Sequence, residues 1–261
     1  MATRSSDVVT TMHFEEEVMG TVVTIDLFRD QGVTRDDVTA PVARALASLH
    51  EADMVFSTWK PNSALSRLRR GDITLGEAPP EVPEVLSLCK EAKHLSNGWF
   101  DPWMIEGGVD PTGYVKGWAA QRALAHLGEM TLDGAMLNAA GDIASFGGPR
   151  PDQPFRVGIV NPASPSTLAC AVELRGALAT SGAYERGAHL VNPFTGVAET
   201  KVASASVSGP DLGVADALAT ALCVGGDEVL ARVERLAGYE ALSIGHDGVR
   251  RWTSGFAFAA L

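Results

Sequence analysis

The sequence predicts an α+β fold with a largely antiparallel sheet and packed helices, built from 261 residues of which 46% are hydrophobic. Segments in which apolar and polar residues alternate are more numerous than a regular β-α-β order would require. Two consecutive segments of this kind, residues 155–159 and 168–174, are separated by a turn-rich stretch, which is typical of an antiparallel pair. A chain of this length can form one large domain or two lobes around a cleft. We expect a loose tail over residues 1–14 and a single domain over residues 15–261.

A strand and a long helix are expected after the tail. Val23, Ile25 and Leu27 alternate with polar residues, which predicts a strand with one buried face. Apolar residues then recur at helical spacing over residues 38–57. Pro61 prevents this helix from continuing, because proline lacks the N–H group that the helix interior needs.

Two further helices are expected in the middle of the chain. One follows Pro83 and ends at Asn97-Gly98, a pair that commonly adopts the left-handed conformation at a helix C-terminus. The other opens at residues 110–113, Asp-Pro-Thr-Gly, and carries Lys116 in its first turns. A lysine and free N–H groups at that place can jointly hold a phosphate.

The second half of the chain combines short strands with two helices. Alternation predicts strands over residues 136–137, 155–159, 168–174, 203–207 and 241–244. Helical spacing predicts helices over residues 211–224 and 227–236. The predicted strand over residues 136–137 leads into Asn138, two alanines, Gly141 and Asp142. A carboxylate after small residues suits a ribose hydroxyl or an adenine edge, although a plain turn explains the segment almost as well.

Composition excludes several classes of protein. The net charge is −11 and the isoelectric point is about 5.0, so a basic nucleic-acid-binding surface is not expected. The three cysteines lack C-x-x-C spacing and have apolar neighbours, which favours buried free thiols. No segment approaches the roughly 20 apolar residues of a membrane span, and no export signal is recognised, so we expect a cytoplasmic protein. P-loop, G-x-G-x-x-G and G-x-S-x-G motifs are absent from the sequence.

Residues 180–196, TSGAYERGAHLVNPFTG, are rich in glycine and hydrogen-bonding side chains, which favours a ligand-binding segment over an ordinary polar surface loop. His189 is the one histidine of six that lies in such polar surroundings. A histidine with a pKa near neutrality can deprotonate an attacking alcohol, which would make it a general base. Equally, it could donate to a carbonyl group and hold the loop.

Two other features admit both a functional and a structural interpretation. Asp216 and Thr220 lie four residues apart on a predicted helix, so their oxygen atoms project from the same face and suit a hard ion such as Mg²⁺. A solvated helix face is the alternative, and two ligands alone cannot fill an octahedral site. Trp59 suits a stacking platform for a planar ring, although ordinary packing is the more common role of tryptophan.

Taken together, eight segments resemble the ApbE family of FAD:protein FMN transferases. They occur in the family's order and at roughly its distances, over about residues 18–225: MGTVVTIDLF, FSTWKPNSALSRL, WFDP, DPTGYVKGWA, NAAGD, TSGAYER, HLVNPFTG and ADALATAL. The resemblance implies an enzyme that binds FAD with Mg²⁺ in a cleft between two lobes. It further implies that FAD is split, AMP is released and FMN is attached through a phosphoester to a Ser or Thr hydroxyl of an acceptor protein.

The resemblance also implies roles for individual residues. The residues expected to bind FAD are Met19, Trp59, Phe100, Asp101, Pro102, Asp110, Lys116, Asn138, Gly141, Asp142 and Leu190. The expected metal ligands are Asp216, Thr220 and the backbone carbonyl of Gly113, with His189 as the base. Magnesium and Lys116 would then offset the repulsion between FAD and an acidic protein.

Four positions depart from the family pattern. Asn192 replaces the aspartate of the D-P-x-T-G turn, which removes a carboxylate that would orient His189 or assist the metal. Ala140 stands where glycine is common, Arg69 stands where many members have asparagine, and FDPW lacks the longer insert that many relatives have. Two alternatives therefore stay open: a magnesium-dependent FAD pyrophosphatase, and an FAD-binding protein without turnover.

Overall fold

The fold is built on an eight-stranded antiparallel sheet, seen in a computed structural model that describes residues 10–29, 32–104, 107–182 and 190–260. The strands are β1 (Thr10–Val18), β2 (Thr21–Arg29), β3 (Gly134–Ala139), β4 (Asp142–Gly147), β5 (Phe155–Asn161), β6 (Ser164–Leu174), β7 (Ala177–Gly182), β8 (Ser204–Gly209), β9 (Glu240–Ile244) and β10 (Arg250–Trp252). The large sheet has the order β1-β2-β3-β4-β7-β8-β9-β10, and β5 pairs with β6 in a separate hairpin.

Six α-helices lie within the described ranges. They are α1 (Arg35–Phe56), α2 (Ala64–Arg69), α3 (Glu81–Leu95), α4 (Thr112–Ala125), α5 (Leu212–Gly225) and α6 (Asp227–Val233), with a short 3-10 helix at Leu75–Glu77. None of the described helices is long and apolar enough to cross a membrane.

The large sheet is covered on both faces. Alternate residues of a strand point to opposite faces, so Ile25 and Leu137 join the core formed with the helices. Met136, from the same strand as Leu137, instead packs in a second cluster with the β5–β6 hairpin. There Phe28 contacts Phe155, with ring centroids 5.1 Å apart. The helical layer and the hairpin therefore lie on opposite sides of one sheet.

The predicted α+β class is confirmed, and so are the predicted helices to within a few residues at their ends. The predicted helix stop at Asn97-Gly98 is also confirmed, since both residues have positive φ and the Gly98 N–H donates to the Lys93 carbonyl at 2.8 Å. The predicted tail is too long, because β1 begins at Thr10 and pairs with β2 along its whole length. Its apolar residues Met12 and Val18 are buried.

Besides β1, three strands were not predicted, and two of these three carry site residues. β4 and β7 lie in the middle of the sheet and consist mostly of small residues, many of them buried on both faces, so they lack a clear polar-apolar alternation. β10 has only three residues, all exposed. Asp142 is consequently the first residue of a central strand. Ala140 (φ 51°) and Gly141 (φ 90°) form the tight turn that joins β3 to β4.

Two glycines let α4 and α5 pack in close contact. A Cβ atom on Gly117 would collide with the carbonyl oxygen of Leu212, and one on Gly213 would lie 2.7 Å from the ring of Tyr114. Both helices also contact β4. This close packing brings the side chains of α4 and α5 together above the start of β4.

Candidate active site

A lysine and two buried carboxyl groups meet where α4, α5 and β4 come together. Lys116 Nζ, from α4, lies 2.8 Å from Oδ2 of Asp142, whose side chain is fully buried. Asp216, from α5, is 4% exposed and accepts a hydrogen bond from the Gly117 N–H at 3.3 Å. The N–H of Thr180 donates to Asp142 Oδ1 at 3.3 Å. Residues far apart in the sequence thus form one charged cluster inside the protein.

The two carboxyl groups perturb each other. Burial raises the pKa of Asp142, and the nearby Lys116 ammonium partly offsets that rise. Burial, followed by repulsion from Asp142, holds the pKa of Asp216 well above its usual range. A hydrogen bond between the two side chains lowers the pKa of Asp142 and raises that of Asp216. Of the two carboxyl groups, Asp216 is therefore the one whose protonated form the surroundings favour more strongly.

The charge of this cluster is incompletely satisfied by the described residues. Asp142 Oδ2 has no hydrogen-bond donor of good geometry among them, and its contact with Lys116 at 2.8 Å is a salt bridge. Leaving a buried carboxylate oxygen without such a donor is costly. The arrangement, with one lysine beside two buried carboxyl groups, is therefore suited to receive a further cation.

The predicted metal ligands lie close together. Asp216 and Thr220 are one turn apart on α5, and a Cβ atom on Gly113 would lie 3.5 Å from Thr220 Oγ1. The described part of the chain contains no group of three or more His, Cys, Asp or Glu residues that could hold a metal. One carboxylate with hydroxyl and carbonyl oxygens is nevertheless the kind of donor set that Mg²⁺ accepts, because this ion usually keeps several waters and substrate oxygens.

Ser181 is a neighbour of Thr220 that sequence reasoning missed as a site residue. The Ser181 and Thr220 hydroxyl oxygens are 3.3 Å apart, and the Cys223 thiol donates to the Ser181 carbonyl oxygen at 3.0 Å. Ser181 belongs to the polar stretch of residues 180–196, so its position in that stretch could have indicated a site residue. Nothing in the sequence around Gly117, whose N–H donates to Asp216, indicates such a role.

Four of the predicted FAD-binding residues form the approach to α4. Phe100 lies 3.3 Å from the position of a Cβ atom on Gly113. Asp101 pairs with Lys93 at 2.6 Å, and the Pro102 carbonyl accepts a hydrogen bond from the Asp110 N–H at 2.8 Å. Asp110 Oδ1 in turn accepts from the Thr112 N–H at 3.0 Å, at the first turn of the helix that carries Lys116.

Two further predicted residues, Asn138 and Gly141, belong to the turn between β3 and β4, and a third, Leu190, is held by a backbone contact with a later residue. Asn138 Oδ1 accepts a hydrogen bond from the Gly141 N–H at 2.8 Å, which fixes the turn before Asp142. Leu190 is half-buried against the helical core, and its carbonyl accepts from the N–H of Glu199 at 3.1 Å.

Met19 and Trp59 lie in connecting segments. Met19 is in the turn between β1 and β2, with a φ of 57°, and packs partly against the helical core. Trp59 is 92% exposed, so the interpretation of this residue as an ordinary packing residue is wrong. Such exposure leaves its ring available to stack on a ligand.

The predicted base, His189, lies outside the described residues, as do residues 183–188. Its role as base stays a prediction. A cavity of about 510 Å³ lies elsewhere, at the C-terminal end of α5, where Gly226, Asp227 and His246 are among its lining residues. The Lys116–Asp142–Asp216 cluster does not line it.

Comparisons with known proteins agree with the resemblance read from the sequence. The ApbE family model matches residues 19–106 and 103–243. A curated FAD:protein FMN transferase from Rhodobacter capsulatus is 36% identical over 151 residues, which cover 54% of this chain and 28% of that protein's length. The chain thus matches little more than a quarter of this relative.

Solved structures show the same fold. The flavin transferase ApbE from Vibrio cholerae has a TM-score of 0.78 at 21% identity, covering 95% of this chain and 98% of that one. The ApbE protein from Thermotoga maritima has a TM-score of 0.79 at 19% identity, with 94% and 97% covered. The apo form of the flavinyl transferase ApbE from Pseudomonas stutzeri has a TM-score of 0.78 at 22% identity, with 94% and 95% covered.

Proposed function

The chain belongs to the ApbE family, and on this basis we propose that it is a magnesium-dependent flavin transferase. In the proposed reaction a Ser or Thr hydroxyl of an acceptor protein attacks the phosphorus of the FMN half of FAD. A phosphoester bond to FMN forms, the bond to the AMP half breaks, and AMP leaves. The hydroxyl proton passes to the base, for which His189 is the predicted residue.

The observation that carries this proposal is the buried cluster of Lys116, Asp142 and Asp216. Phosphoryl transfer requires mainly in-line positioning and cations around the phosphates, with little covalent chemistry from the protein. Lys116 lies within the first turns of α4, where backbone N–H groups and the helix dipole favour an anion. A diphosphate placed there would meet the ammonium group and the helix start together.

The residues present fit a magnesium ion. Asp216, Thr220 and the Gly113 carbonyl would hold it, and the buried Asp142 oxygen that lacks an aligned donor supports the need for a cation in this cluster. When bound, the ion would neutralise charge on the diphosphate of FAD. The protein side chains would fix the orientation of the phosphates and exclude water from them.

The acceptor reaction is tested by incubating the purified protein with FAD and Mg²⁺, with and without a candidate acceptor protein. AMP release together with a mass gain of one FMN on the acceptor would support the transferase. AMP release without the mass gain would select the pyrophosphatase. Flavin binding without AMP release would select the FAD-binding protein.

Two variants and a chelator make this experiment specific to the proposed site. Asp216→Asn and excess EDTA should each abolish AMP release. Asp227→Asn should not, because this carboxylate on the neighbouring helix α6 is exposed and only loosely paired with Arg251. Equal loss in both variants would contradict the proposed role of Asp216.

The cytoplasmic location expected from the sequence remains a prediction, which cell fractionation would test.

A further inference from the structure

We propose that Arg69 is a positioning residue for FAD, because it fastens residues 107–110 against the start of α4. The inference rests on the proposed function, since α4 carries Lys116 and the Gly113 carbonyl. It concerns a side chain that lies outside the cluster described above and has no part in the proposed chemistry.

The contacts of Arg69 join α2 to this segment. Arg69 is the last residue of α2, and its Nε donates to the Gly107 carbonyl at 3.0 Å. Its Nη1 lies 3.9 Å from Asp110 Oδ2. The Arg69 and Asp110 side chains are only 19% and 23% exposed, so this pair is screened less than an ordinary surface pair.

The backbone of the segment is shaped around the arginine. Gly107 and Gly108 have φ values of 83° and 105°, a region that favours glycine. A Cβ atom on Gly107 would lie 3.0 Å from Arg69 Nη2, and one on Gly108 would lie 3.6 Å from Arg69 Cγ. The chain therefore passes directly over the arginine side chain, in a backbone conformation that favours glycine at both positions.

Asp110 connects the Arg69 contact with the proposed site, because it bonds to the first residue of α4. Its N–H donates to the Pro102 carbonyl at 2.8 Å, and its Oδ1 accepts from the Thr112 N–H at 3.0 Å. Fixing Asp110 thus fixes the start of α4, the helix that carries Gly113 and Lys116. Arg69 also offsets the negative charge of Asp110, which would otherwise repel the diphosphate. Without Arg69, FAD binding must order the segment and overcome this repulsion.

Arg70 provides a matched control. It is adjacent in sequence and pairs with Asp72 at 2.7 Å, but both of these side chains are 47% exposed. The described contacts of Arg70 do not involve residues 107–110. Replacing Arg70 with glutamine removes the same charge from almost the same place while leaving the segment over Arg69 intact.

The test compares Arg69→Gln, Arg69→Lys and Arg70→Gln by steady-state AMP release at varied FAD. The net free energy of a hydrogen bond to a charged group typically corresponds to at least about a tenfold change in an equilibrium constant. Arg69→Gln should therefore raise KM for FAD about tenfold, with kcat within about twofold of the wild type. Arg69→Lys keeps the charge and should recover part of the loss. Arg70→Gln should leave both constants unchanged.

Amide hydrogen exchange of the FAD-free variants supplies a readout independent of activity. Exchange at residues 107–112 should be faster in Arg69→Gln than in the wild type and unchanged in Arg70→Gln. Unchanged exchange, an unchanged KM, or equal effects of both glutamine variants would overturn the inference and leave the proposed function intact. A wild-type protein that neither binds FAD nor releases AMP would overturn the proposed function, and the inference with it.

Discussion

Lys116 Nζ lies 2.8 Å from Oδ2 of Asp142, a carboxylate oxygen that has no aligned hydrogen-bond donor within the described ranges. One lysine thus faces two buried carboxyl groups, because Asp216 and Asp142 lie near enough to perturb each other's pKa. Burying charges that are incompletely paired lowers stability. The metal-free protein therefore carries an electrostatic cost at the place where the ion and the diphosphate are proposed to bind.

The first prediction concerns the stability of the metal-free protein as pH changes. In the folded protein the pKa of Asp216 is well above the usual range of an aspartate, so at pH values between its unfolded and folded pKa the folded chain binds more protons than the unfolded chain. The contribution of Asp216 is therefore favourable at low pH and is lost as the pH rises through the folded pKa. Asp216→Asn should remove this loss and raise the free energy of unfolding at pH 8 by about 1–3 kcal/mol.

Urea unfolding in EDTA at several pH values measures this effect. The difference in unfolding free energy between the wild type and Asp216→Asn reports the contribution of Asp216 alone, because the other acidic residues titrate in both proteins. It should grow as the pH rises, while Asp227→Asn should follow the wild type throughout. Parallel curves for the wild type and Asp216→Asn would show that Asp216 is not perturbed.

The second prediction concerns Trp59. Because this side chain is 92% exposed, Trp59→Ala should change the free energy of unfolding by less than about 0.5 kcal/mol. If the ring stacks on the flavin, the same change should weaken FAD binding by about tenfold, in line with the value of aromatic stacking on a planar base. Trp252→Ala is the control, because Trp252 is 52% exposed on β10 and contacts Phe258. Equal FAD affinity in both variants would exclude the stacking role.

Sequence patterns predicted the parts of the fold that depend on local periodicity. β2 alternates cleanly, and α5 places Asp216 and Thr220 on one face by spacing alone. β4 and β7 were missed because small residues buried on both faces give no alternation. Trp59 was expected to be a packing residue because tryptophan is usually well buried, but its side chain is exposed here.

The candidate site was predictable only as separate pieces. The resemblance to a known family pointed to Lys116, Asp142 and Asp216, and the structure places them together. Their mutual electrostatics depend on long-range packing of α4, α5 and β4, which no short window of sequence contains. The support of residues 107–110 by Arg69 is likewise a contact between distant residues.

The third prediction concerns the packing of α4 against α5. A methyl group on Gly117 would collide with the Leu212 carbonyl, and the N–H of Gly117 donates to Asp216. Gly117→Ala should therefore separate the helices, lower the free energy of unfolding by about 2 kcal/mol and reduce AMP release. Gly128→Ala is the control, because its Cβ would lie 3.4 Å from the nearest atom, the Ala125 carbonyl oxygen. Similar melting temperatures for both variants would contradict the close packing.

The fourth prediction concerns Asn192, which stands where the family pattern has aspartate. Its side chain is buried, its Nδ2 donates to Glu199 Oε1 at 2.7 Å, and its Oδ1 accepts from the Phe194 N–H at 2.9 Å. An aspartate would keep the second hydrogen bond and lose the first. It would also place a second carboxylate next to that of Glu199. Asparagine therefore suits this position because its amide can donate a hydrogen bond to Glu199.

Asn192→Asp should lower the free energy of unfolding at pH 7 by about 1–2 kcal/mol, because a buried carboxylate would face another one without a donor between them. The loss is kept moderate by the exposure of Glu199, which lets its side chain turn towards water. Glu199→Gln supplies a donor to the new carboxylate, so the double variant should recover most of the stability, and a double-mutant cycle from urea unfolding measures the coupling. Additive losses in the cycle would show that Asn192 and Glu199 do not depend on each other. A gain in AMP release by Asn192→Asp would instead assign this position a part in the reaction.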